Sequence, residues 1–407
     1  MITTINNEHK KVYVPNLRFP EFEGEWEKCK LGDLCNVLMC KRILASQTNT
    51  EEGVPFYKIG TIGNAPDAYI SKELFDDYKT KYNYPHKGEV MITCAGTVGK
   101  CVIYDGKDAY YQDSNIVWID NPSQCISNSF LYHLLAKVDW RKLNSTTIIR
   151  IYNDDLRNLK LSYPQIEEQQ KISRLLSFLD ERIATQNKII DKLQSLIKGL
   201  EDNLLDNPLW EKTYLRSFMQ FFSTNSLSWE QLSYEEGEIR NLHYGLIHGF
   251  QTRSINSVSL PMIKNEAIPK QYTLCQVGDV AFADASEDTG EIAKSVEFVD
   301  TIEGDTICGL HTIHGRDIKN RTVVGFKGFA FNSRYFHNQI KRLAQGTKVF
   351  SITANNLSSC YVYLPDFDTQ KAIVKLLKAY EEKLLVSKRL LEQCEKQKQY
   401  LLRQMFI

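Results

Sequence analysis

The chain has 407 residues, of which 43% are hydrophobic and 25% charged, and its 50 basic and 50 acidic side chains give a formal net charge of zero. This length predicts two or more domains, and the composition is typical of a folded protein in water. The absence of a basic excess argues against a lone, tight nucleic-acid binder. A phosphate-binding face would therefore be a local arrangement or would depend on a partner protein.

Targeting and metal-binding signals are weak in this sequence. No apolar run approaches the roughly 18–20 residues that span a bilayer, so no membrane association is expected. Residues 1–8 do not show the basic segment and apolar core of a signal peptide. The ten cysteines form no CxxC pair and have no His/Cys spacing suited to zinc. We therefore expect reduced thiols, no metal site and a cytoplasmic protein.

The first predicted domain covers residues 1–164, of which 1–14 are a polar lead-in. Short apolar stretches alternate with turns and predict a mixed α/β unit with a largely antiparallel sheet. A short helix is predicted at 130–135. The predicted strands are 54–59, 90–93, 101–104, 115–119 and 159–163.

A long amphipathic helix is predicted over 165–207. Its apolar residues fall at alternating steps of four and three, which is a heptad seam with one polar gap at Gln186. The seam consists of Ile172, Leu176, Leu179, Ile183, Ile190, Leu193 and Ile197.

The same order then repeats, with a second domain predicted at 208–364 and a second long helix at 365–407. The string that begins at Trp26 returns at Trp210, and the polar gap returns at Ser387, which is 201 residues after Gln186. Self-similarity at this period predicts an internal duplication. The second seam consists of Ile373, Leu377, Tyr380, Leu384 and Leu391.

Strict three-four spacing favours pairing between the two helices over burial of each helix alone. A two-fold-like relation places them antiparallel, with one globular unit at each end, and about 40 residues span about 60 Å. The predicted fold class is α+β: two globular mixed α/β domains separated by two long antiparallel coiled-coil helices, with an internal pseudo-two-fold duplication. Such a rod would act as a ruler on a periodic ligand, and duplex DNA repeats every 34–36 Å or so.

No catalytic motif is found. The sequence has no GxGxxG and no GxxxxGK[ST] phosphate loop. Asp366, Glu381 and Lys383 resemble the residues of a metal-dependent nuclease, but their spacing scatters them along one helix. A solvated charged face is the favoured interpretation of these three residues. A self-contained nuclease remains a weaker alternative.

The remaining candidates are binding residues. Lys100 and Lys294 each close a glycine-containing loop between two strands, where a lysine can meet a phosphate. Amide, hydroxyl and imidazole groups nearby suit base edges. Exposed hairpin lysines and turn-capping polar residues would show the same pattern. The candidate DNA-binding side chains are Lys58, Thr97, Lys100, Gln112, Ser114, Asn115, Thr147, Arg150, Lys294, His311, Thr312 and Lys348.

The whole pattern resembles the specificity subunit of type I restriction-modification systems. The strings that carry the resemblance begin at Trp26, Lys87, Gly96 and Leu161, and the proline–glutamine–heptad arrangement that follows Leu161 occurs twice. The likeness covers nearly the whole chain, from about Pro15 to the C-terminus.

The resemblance implies two target-recognition domains that each read one half of a bipartite DNA sequence, with helices that set the gap. It implies two methyltransferase subunits that bind S-adenosylmethionine, and motor-nuclease subunits that use ATP and Mg. It implies no catalytic centre and no cofactor in this chain. The alternative is a coiled-coil scaffold that spaces two protein-binding domains. Only such a scaffold would lack affinity for DNA at every salt concentration.

Overall fold

The contacts of this computed structural model divide the chain into two compact units. The first unit consists of Met1–Thr185 and Leu391–Ile407, and the second of Gln186–Leu390. No helix among the described residues is long and apolar enough to cross a membrane. The structure describes residues 14–142, 150–250, 253–255, 260–300 and 304–407.

The first unit combines short strands with helices. Its strands are β1 (Glu27–Lys30), β2 (Asn36–Leu38), β3 (Val54–Tyr57), β4 (Tyr69–Ile70), β5 (Val90–Thr93), β6 (Cys101–Ile103), β7 (Tyr110–Tyr111), β8 (Ile116–Asp120) and β9 (Lys160–Tyr163). Its shorter helices are α1 (Leu31–Leu34), α2 (Lys72–Lys81), α3 (Asn128–Lys137) and α4 (Asn153–Arg157). The first long helix, α5 (Ile166–Leu205), begins in this unit and ends in the second.

The larger sheet of the first unit is antiparallel, in the order β2-β8-β5-β6. Its central strands β5 and β8 are buried almost throughout, which is why they are nearly all apolar. A smaller sheet has the order β4-β3-β7. The C-terminus of the chain packs into this unit, because Phe406 stacks on Phe130 of α3 at 4.9 Å between ring centroids. Trp26 packs edge-on against both rings.

The second unit contains the corresponding elements. Its strands are β10 (Glu211–Tyr214), β11 (Met219–Phe222), β12 (Leu232–Ser233), β13 (Arg240–Leu242), β14 (Ser254–Ile255), β15 (Met262–Ile263), β16 (Val280–Ala283), β17 (Ala285–Ser286), β18 (Ser295–Phe298), β19 (Thr306–Cys308), β20 (Thr312–Asp317), β21 (Phe350–Ser351) and β22 (Tyr361–Leu364). Its helices are α6 (Tyr244–Gly249), α7 (Phe326–Ala330), α8 (Arg334–Leu343) and α9 (Ala354–Ser359). The second long helix, α10 (Phe367–Met405), begins here and ends in the first unit.

The predicted duplication is confirmed at the level of strand register. In the first unit β1 pairs with β9 so that Glu27 faces Tyr163, and in the second β10 pairs with β22 so that Glu211 faces Leu364. These partners differ by the offsets of 184 and 201 read from the sequence. The sheet order β11-β20-β16-β18-β14 repeats the order of the first unit and adds one parallel strand at its edge. The α+β fold class with two long helices is likewise confirmed.

The two long helices pack antiparallel within each unit. In the first unit Ile172 and Leu176, near the start of α5, share a core with Met405 at the end of α10. In the second unit Leu205, at the end of α5, shares a core with Ile373 and Leu377 near the start of α10. Every predicted seam residue is buried or half-buried in the structure. The apolar stripe of each helix therefore faces protein, as a heptad requires.

The two polar gaps of the seam meet each other. Gln186 and Ser387 are both buried, and the Gln186 side-chain amide donates a hydrogen bond to the Ser387 carbonyl oxygen at 3.1 Å. A polar pair at one seam position disfavours shifted registers, because a shift would bury its groups without partners.

A buried glutamine ties the start of each long helix to its unit. Gln169 Nε2 donates to the carbonyl oxygens of Pro164 and Cys125, both at 2.8 Å, and Oε1 accepts the Ser127 N–H at 2.8 Å. Gln169 is fully buried. Two of these hydrogen bonds join the strand–helix junction to the loop before α3, and the third, to Pro164, lies within the junction.

Gln370 makes the same three bonds in the second unit. Its Nε2 donates to Pro365 and Arg321 carbonyl oxygens, both at 3.0 Å, and Oε1 accepts the Val323 N–H at 2.9 Å. This repeated contact explains why the glutamine recurs after 201 residues.

We expect Gln370→Ala to lower the free energy of unfolding by about 1–3 kcal/mol, because it leaves buried backbone groups without partners. Denaturant unfolding of the purified chain measures the change. Gln393→Ala, at an exposed position of the same helix, is the matched control and should be near neutral. Equal effects of both substitutions would contradict the role assigned to Gln370.

Candidate nucleic-acid interface

Four loops of the first unit are joined by backbone hydrogen bonds. The Cys94 N–H donates to the Asn115 carbonyl at 2.7 Å, and the Ile151 N–H donates to the Cys94 carbonyl at 2.8 Å. The Gln112 N–H donates to the Tyr57 carbonyl at 2.9 Å. The segments after β3 and β5, before β8 and before α4 therefore form one loop cluster.

This cluster gathers several of the predicted basic side chains. Lys58 Nζ lies 3.0 Å from Asp67, and Arg150 Nη2 donates to the Ser114 carbonyl at 3.2 Å. Lys100 Nζ donates to the Ile62 carbonyl at 2.6 Å, so this lysine also braces the loop after β3. The bracing role was not predicted.

The predicted polar side chains surround these cations. Thr97 is exposed, whereas Gln112, Ser114 and Asn115 are half-buried. The Gln112 Oε1 is buried without a hydrogen-bond partner among the described residues. Thr147 lies outside the described residues. We call the first loop surface the set Lys58, Thr97, Lys100, Gln112, Ser114, Asn115 and Arg150.

The second unit builds its loop cluster with the same bonds. The Asp284 N–H donates to the His311 carbonyl, and the Ile352 N–H donates to the Asp284 carbonyl, both at 3.0 Å. Asp284 occupies the place of Cys94, one residue beyond the end of its strand. The short pairing of β17 with β21 adds Lys348 to this region, on an exposed turn just before β21.

The predicted side chains of the second unit are placed unequally. Lys294 Nζ lies 3.0 Å from Glu291 and donates to the His248 carbonyl at 3.2 Å. His311 Nδ1 lies 3.0 Å from Asp284 Oδ1, and half of its side chain is exposed. Thr312 is buried, and its hydroxyl donates to the Gly309 carbonyl at 2.6 Å. We call the second loop surface the set Lys294, His311 and Lys348, and Thr312 supports it from inside.

Acidic groups balance the cations of the second loop surface. Burial raises the pKa of Asp284, and His311 opposes that shift only in part. Burial would also raise the pKa of Glu291, but hydrogen bonds from Lys294 and His248 outweigh it and lower this pKa. A phosphate that binds Lys294 therefore has to compete with an ionised carboxylate.

Sequence reasoning missed residues that the fold adds to these surfaces. Arg42 is 71% exposed and reaches Asp113 beside the first loop surface, with Nε 3.4 Å from Oδ2. In the second unit the Tyr244 ring packs edge-on against His311 at 5.3 Å between ring centroids. Neither residue lies in a motif, and only the folded loops bring them to these positions.

The nuclease-like string does not form a site. The Asp366 carboxylate accepts bonds from the N–H and hydroxyl of Thr369, at 2.9 and 2.8 Å, and so caps α10. Glu381 binds Arg253, with Oε1 2.5 Å from Nη1. The interpretation of Glu381 as part of a solvated face is wrong, because this carboxylate is buried. Helical spacing puts Asp366 and Glu381 about 22 Å apart along one axis, too far to share a metal ion.

The chain that carries the two loop surfaces is similar in sequence to known proteins. The family model of the type I restriction modification DNA specificity domain matches residues 23–195. A Haemophilus influenzae protein named as a type I restriction enzyme specificity subunit is 48% identical over 169 residues, which span 42% of this chain and 43% of that protein. A Methanocaldococcus jannaschii protein named as the MjaX specificity subunit is 24% identical over 403 residues, which span 93% of this chain and 92% of that protein.

A solved structure shares the fold. The S subunit of a type I restriction-modification system from M. genitalium superposes with a TM-score of 0.62 and 16% identity, over 97% of this chain and 99% of that chain. The likeness therefore extends through both units and both long helices.

Proposed function

We infer that this chain is a specificity subunit of a type I restriction-modification system, which recognises a DNA sequence and directs partner subunits to it. In this proposal each unit reads one half of a bipartite duplex target. The chain itself catalyses no reaction on the DNA.

One observation carries the proposal: both units build a loop surface from the same backbone bonds at equivalent strand ends. Each surface combines cations with polar or imidazole groups. Cations suit phosphate oxygens, while amides and hydroxyls suit base edges in the major groove. Different side chains on a repeated scaffold are what two different half-sites would require.

The charge distribution supports a role for partner subunits. Lys58 and Lys294 are each within 3.0 Å of a carboxylate of the protein. DNA would have to displace these carboxylates, so affinity of the isolated chain should be low. In the proposal two methyltransferase subunits that bind S-adenosylmethionine help to enclose the DNA. Motor-nuclease subunits that use ATP and Mg complete the restriction enzyme.

The long helices offer a surface for those subunits. Several large apolar side chains on α5 and α10 are exposed outside the seam, and in the proposal the partner subunits cover them. These residues are Phe178, Ile189, Leu196, Leu376, Val386 and Tyr400.

Mapping of adenine methylation tests the proposed function. We expect host cells that express the chain with its methyltransferase subunit to methylate a bipartite motif, and cells without the chain to leave it unmethylated. Methylation that is absent or independent of the chain would overturn the proposal. A scaffold of protein-binding domains would give no binding of the assembled complex to duplex DNA at any salt concentration.

Substitution of Arg42, which lies beside the first loop surface, tests whether this part of the first unit contacts DNA. Arg42→Ala in the assembled methyltransferase should lower the slope of log binding constant against log salt by about 0.9, the value for one lost phosphate contact. Lys107→Ala is the matched control, because Lys107 is 86% exposed in the same unit but lies on the turn after β6. Filter binding across a salt series measures both. An unchanged slope for Arg42→Ala would remove Arg42 from the interface.

A further inference from the structure

Three side chains that commonly bind metals meet inside the second unit. The ligand atoms of Cys275, Cys308 and His314 all lie within 4.8 Å of one another, and all three residues are buried. The two sulfur atoms are 3.6 Å apart. Cys308 ends β19, His314 lies in β20, and the Cys275 N–H donates to the Thr306 carbonyl of β19 at 2.8 Å. Neighbouring backbone segments therefore hold the cluster in place.

The spacing of the cluster suits a tetrahedral zinc ion. Zinc–sulfur bonds of about 2.3 Å at tetrahedral angles place two thiolates about 3.8 Å apart. A histidine nitrogen at about 2.0–2.1 Å from the metal lies about 3.6 Å from each sulfur. The sulfur pair, 3.6 Å apart, needs a shift of only tenths of an ångström. The histidine nitrogen lies within 4.8 Å of both sulfurs and needs a shift of about 1.2 Å at most. Zinc also favours thiolate and imidazole ligands over the oxygen ligands that magnesium prefers.

The hydrogen bond of the histidine engages one ring nitrogen and leaves the other for a metal ion. His314 Nε2 lies 2.7 Å from Asp279 Oδ2. The Arg316 guanidinium donates to both oxygens of Asp279, at 2.8 and 2.7 Å, so this carboxylate acts as an acceptor. Nε2 then donates its proton to this carboxylate, and Nδ1 is the ring nitrogen left to bind a metal ion. A carboxylate behind a histidine is the common outer partner of zinc-bound imidazole.

A small cavity reaches the cluster and leaves space for a fourth ligand. It has a volume of about 40 Å³ and is lined by Cys308, His314 and polar side chains that include Thr224 and Asn225. One water molecule needs about 30 Å³ and several polar partners. Two thiolates and one zinc ion sum to zero charge, which removes most of the cost of burying the ions.

We propose that Cys275, Cys308 and His314 bind one zinc ion, with a water molecule from this cavity as the fourth ligand. The ion joins β19, β20 and the segment before β16 into one block. Thr312 and His311 lie within three residues of His314, so the zinc stabilises the base of the second loop surface. The sequence did not indicate this site, because its cysteines are 33 residues apart and form no recognised pair.

Metal analysis of the full chain tests the proposal. After purification under reducing conditions without chelator, elemental analysis should find about one zinc per chain. Cobalt substitution should give a thiolate-to-cobalt charge-transfer band. Cys275→Ser and Cys308→Ser should each lose the metal, while Cys360→Ser, at a buried cysteine of the same unit outside the cluster, should keep it. Zinc-free wild-type protein after reconstitution, or retention of zinc by both cluster variants, would overturn the site.

Alkylation of the unsubstituted chain covers the case in which the variants misfold. Because both thiols are buried, labelling is done at a denaturant concentration that partly opens the metal-free protein. Zinc should then protect Cys275 and Cys308 from a thiol reagent, and a strong chelator should remove that protection. Mass spectrometry identifies the labelled residues. A disulfide between these two cysteines in the freshly purified protein, or protection that the chelator does not change, would contradict the proposal. Metal content is measured without DNA, so these outcomes are independent of the proposed function.

Discussion

Arg253→Ala is expected to lower the free energy of unfolding of the second unit by about 3–5 kcal/mol, the range for removing one partner of a buried ion pair. Arg253 Nη2 lies 2.6 Å from Glu201 of α5, and Nη1 lies 2.5 Å from Glu381 of α10. Both carboxylates are buried. One guanidinium thus joins the two long helices to the segment that leads into β14, and its loss would leave two acidic groups facing each other.

The pH dependence of this effect separates charge from packing. Burial raises the pKa of Glu201 to about 7, against the opposing effect of Arg253, and burial also raises the pKa of Glu381. A carboxyl group with a raised folded-state pKa stabilises the fold at low pH and loses that contribution as the pH rises through this pKa. Without Arg253 both values should rise further. The free energy of unfolding of the variant should therefore lie far below that of the wild type at pH 8 and closer to it at pH 5.

Denaturant unfolding at the two pH values measures the effect. Arg334→Ala is the matched control, because Arg334 is 69% exposed and lies 3.9 Å from Asp202 in the same unit. An exposed pair of this kind contributes about 0–1 kcal/mol. A loss for Arg253→Ala that is the same at pH 5 and pH 8 would mean that packing against Phe329, not charge, explains the role of Arg253.

Insertion of one heptad into each long helix is expected to change the DNA target itself, if the proposed function holds. Seven residues add about 10 Å at 1.5 Å per residue, which is about three base pairs at 3.4 Å per step. Because seven residues preserve the seam, the paired helices should still form. Methylation mapping should then show the same two half-sites with a gap about three base pairs longer.

Controls for the insertion use the register of the seam. A four-residue insertion in each helix moves the apolar stripe and should abolish methylation. A heptad added to α5 alone moves Gln186 away from Ser387 and should act in the same way. An unchanged gap in the doubly extended chain would show that the helices do not set the spacing.

Local patterns and repeats were readable from the sequence. The spacing of the apolar residues was enough to predict the seam, because a heptad pattern shows which side of a helix is buried even when its partner is unknown. The recurrence of Gln169 as Gln370 and of Trp26 as Trp210 revealed the duplication before its cause was visible. The glutamine recurs because Gln169 and Gln370 make equivalent hydrogen bonds at equivalent positions of the two units.

The candidate binding residues were predicted less completely. The sequence placed Lys100 and Lys294 on loops that close between strands, and the structure puts both there. It did not indicate that Lys100 braces a neighbouring loop or that Thr312 is buried. Strand ends and loop tips look alike in sequence, because the direction of a side chain depends on the register of the sheet. Contact of these residues with DNA stays a prediction.

By itself the sequence determined the two-copy plan and the long helices with their seam, because these follow from order and period along the chain. Only the tertiary structure decided which distant groups meet. Arg253 finds Glu201 and Glu381, and Cys275 finds Cys308, through folding of segments that are far apart in the chain. Such contacts produce no periodic pattern in the sequence, because each depends on single side chains and on the sheet topology that brings them together.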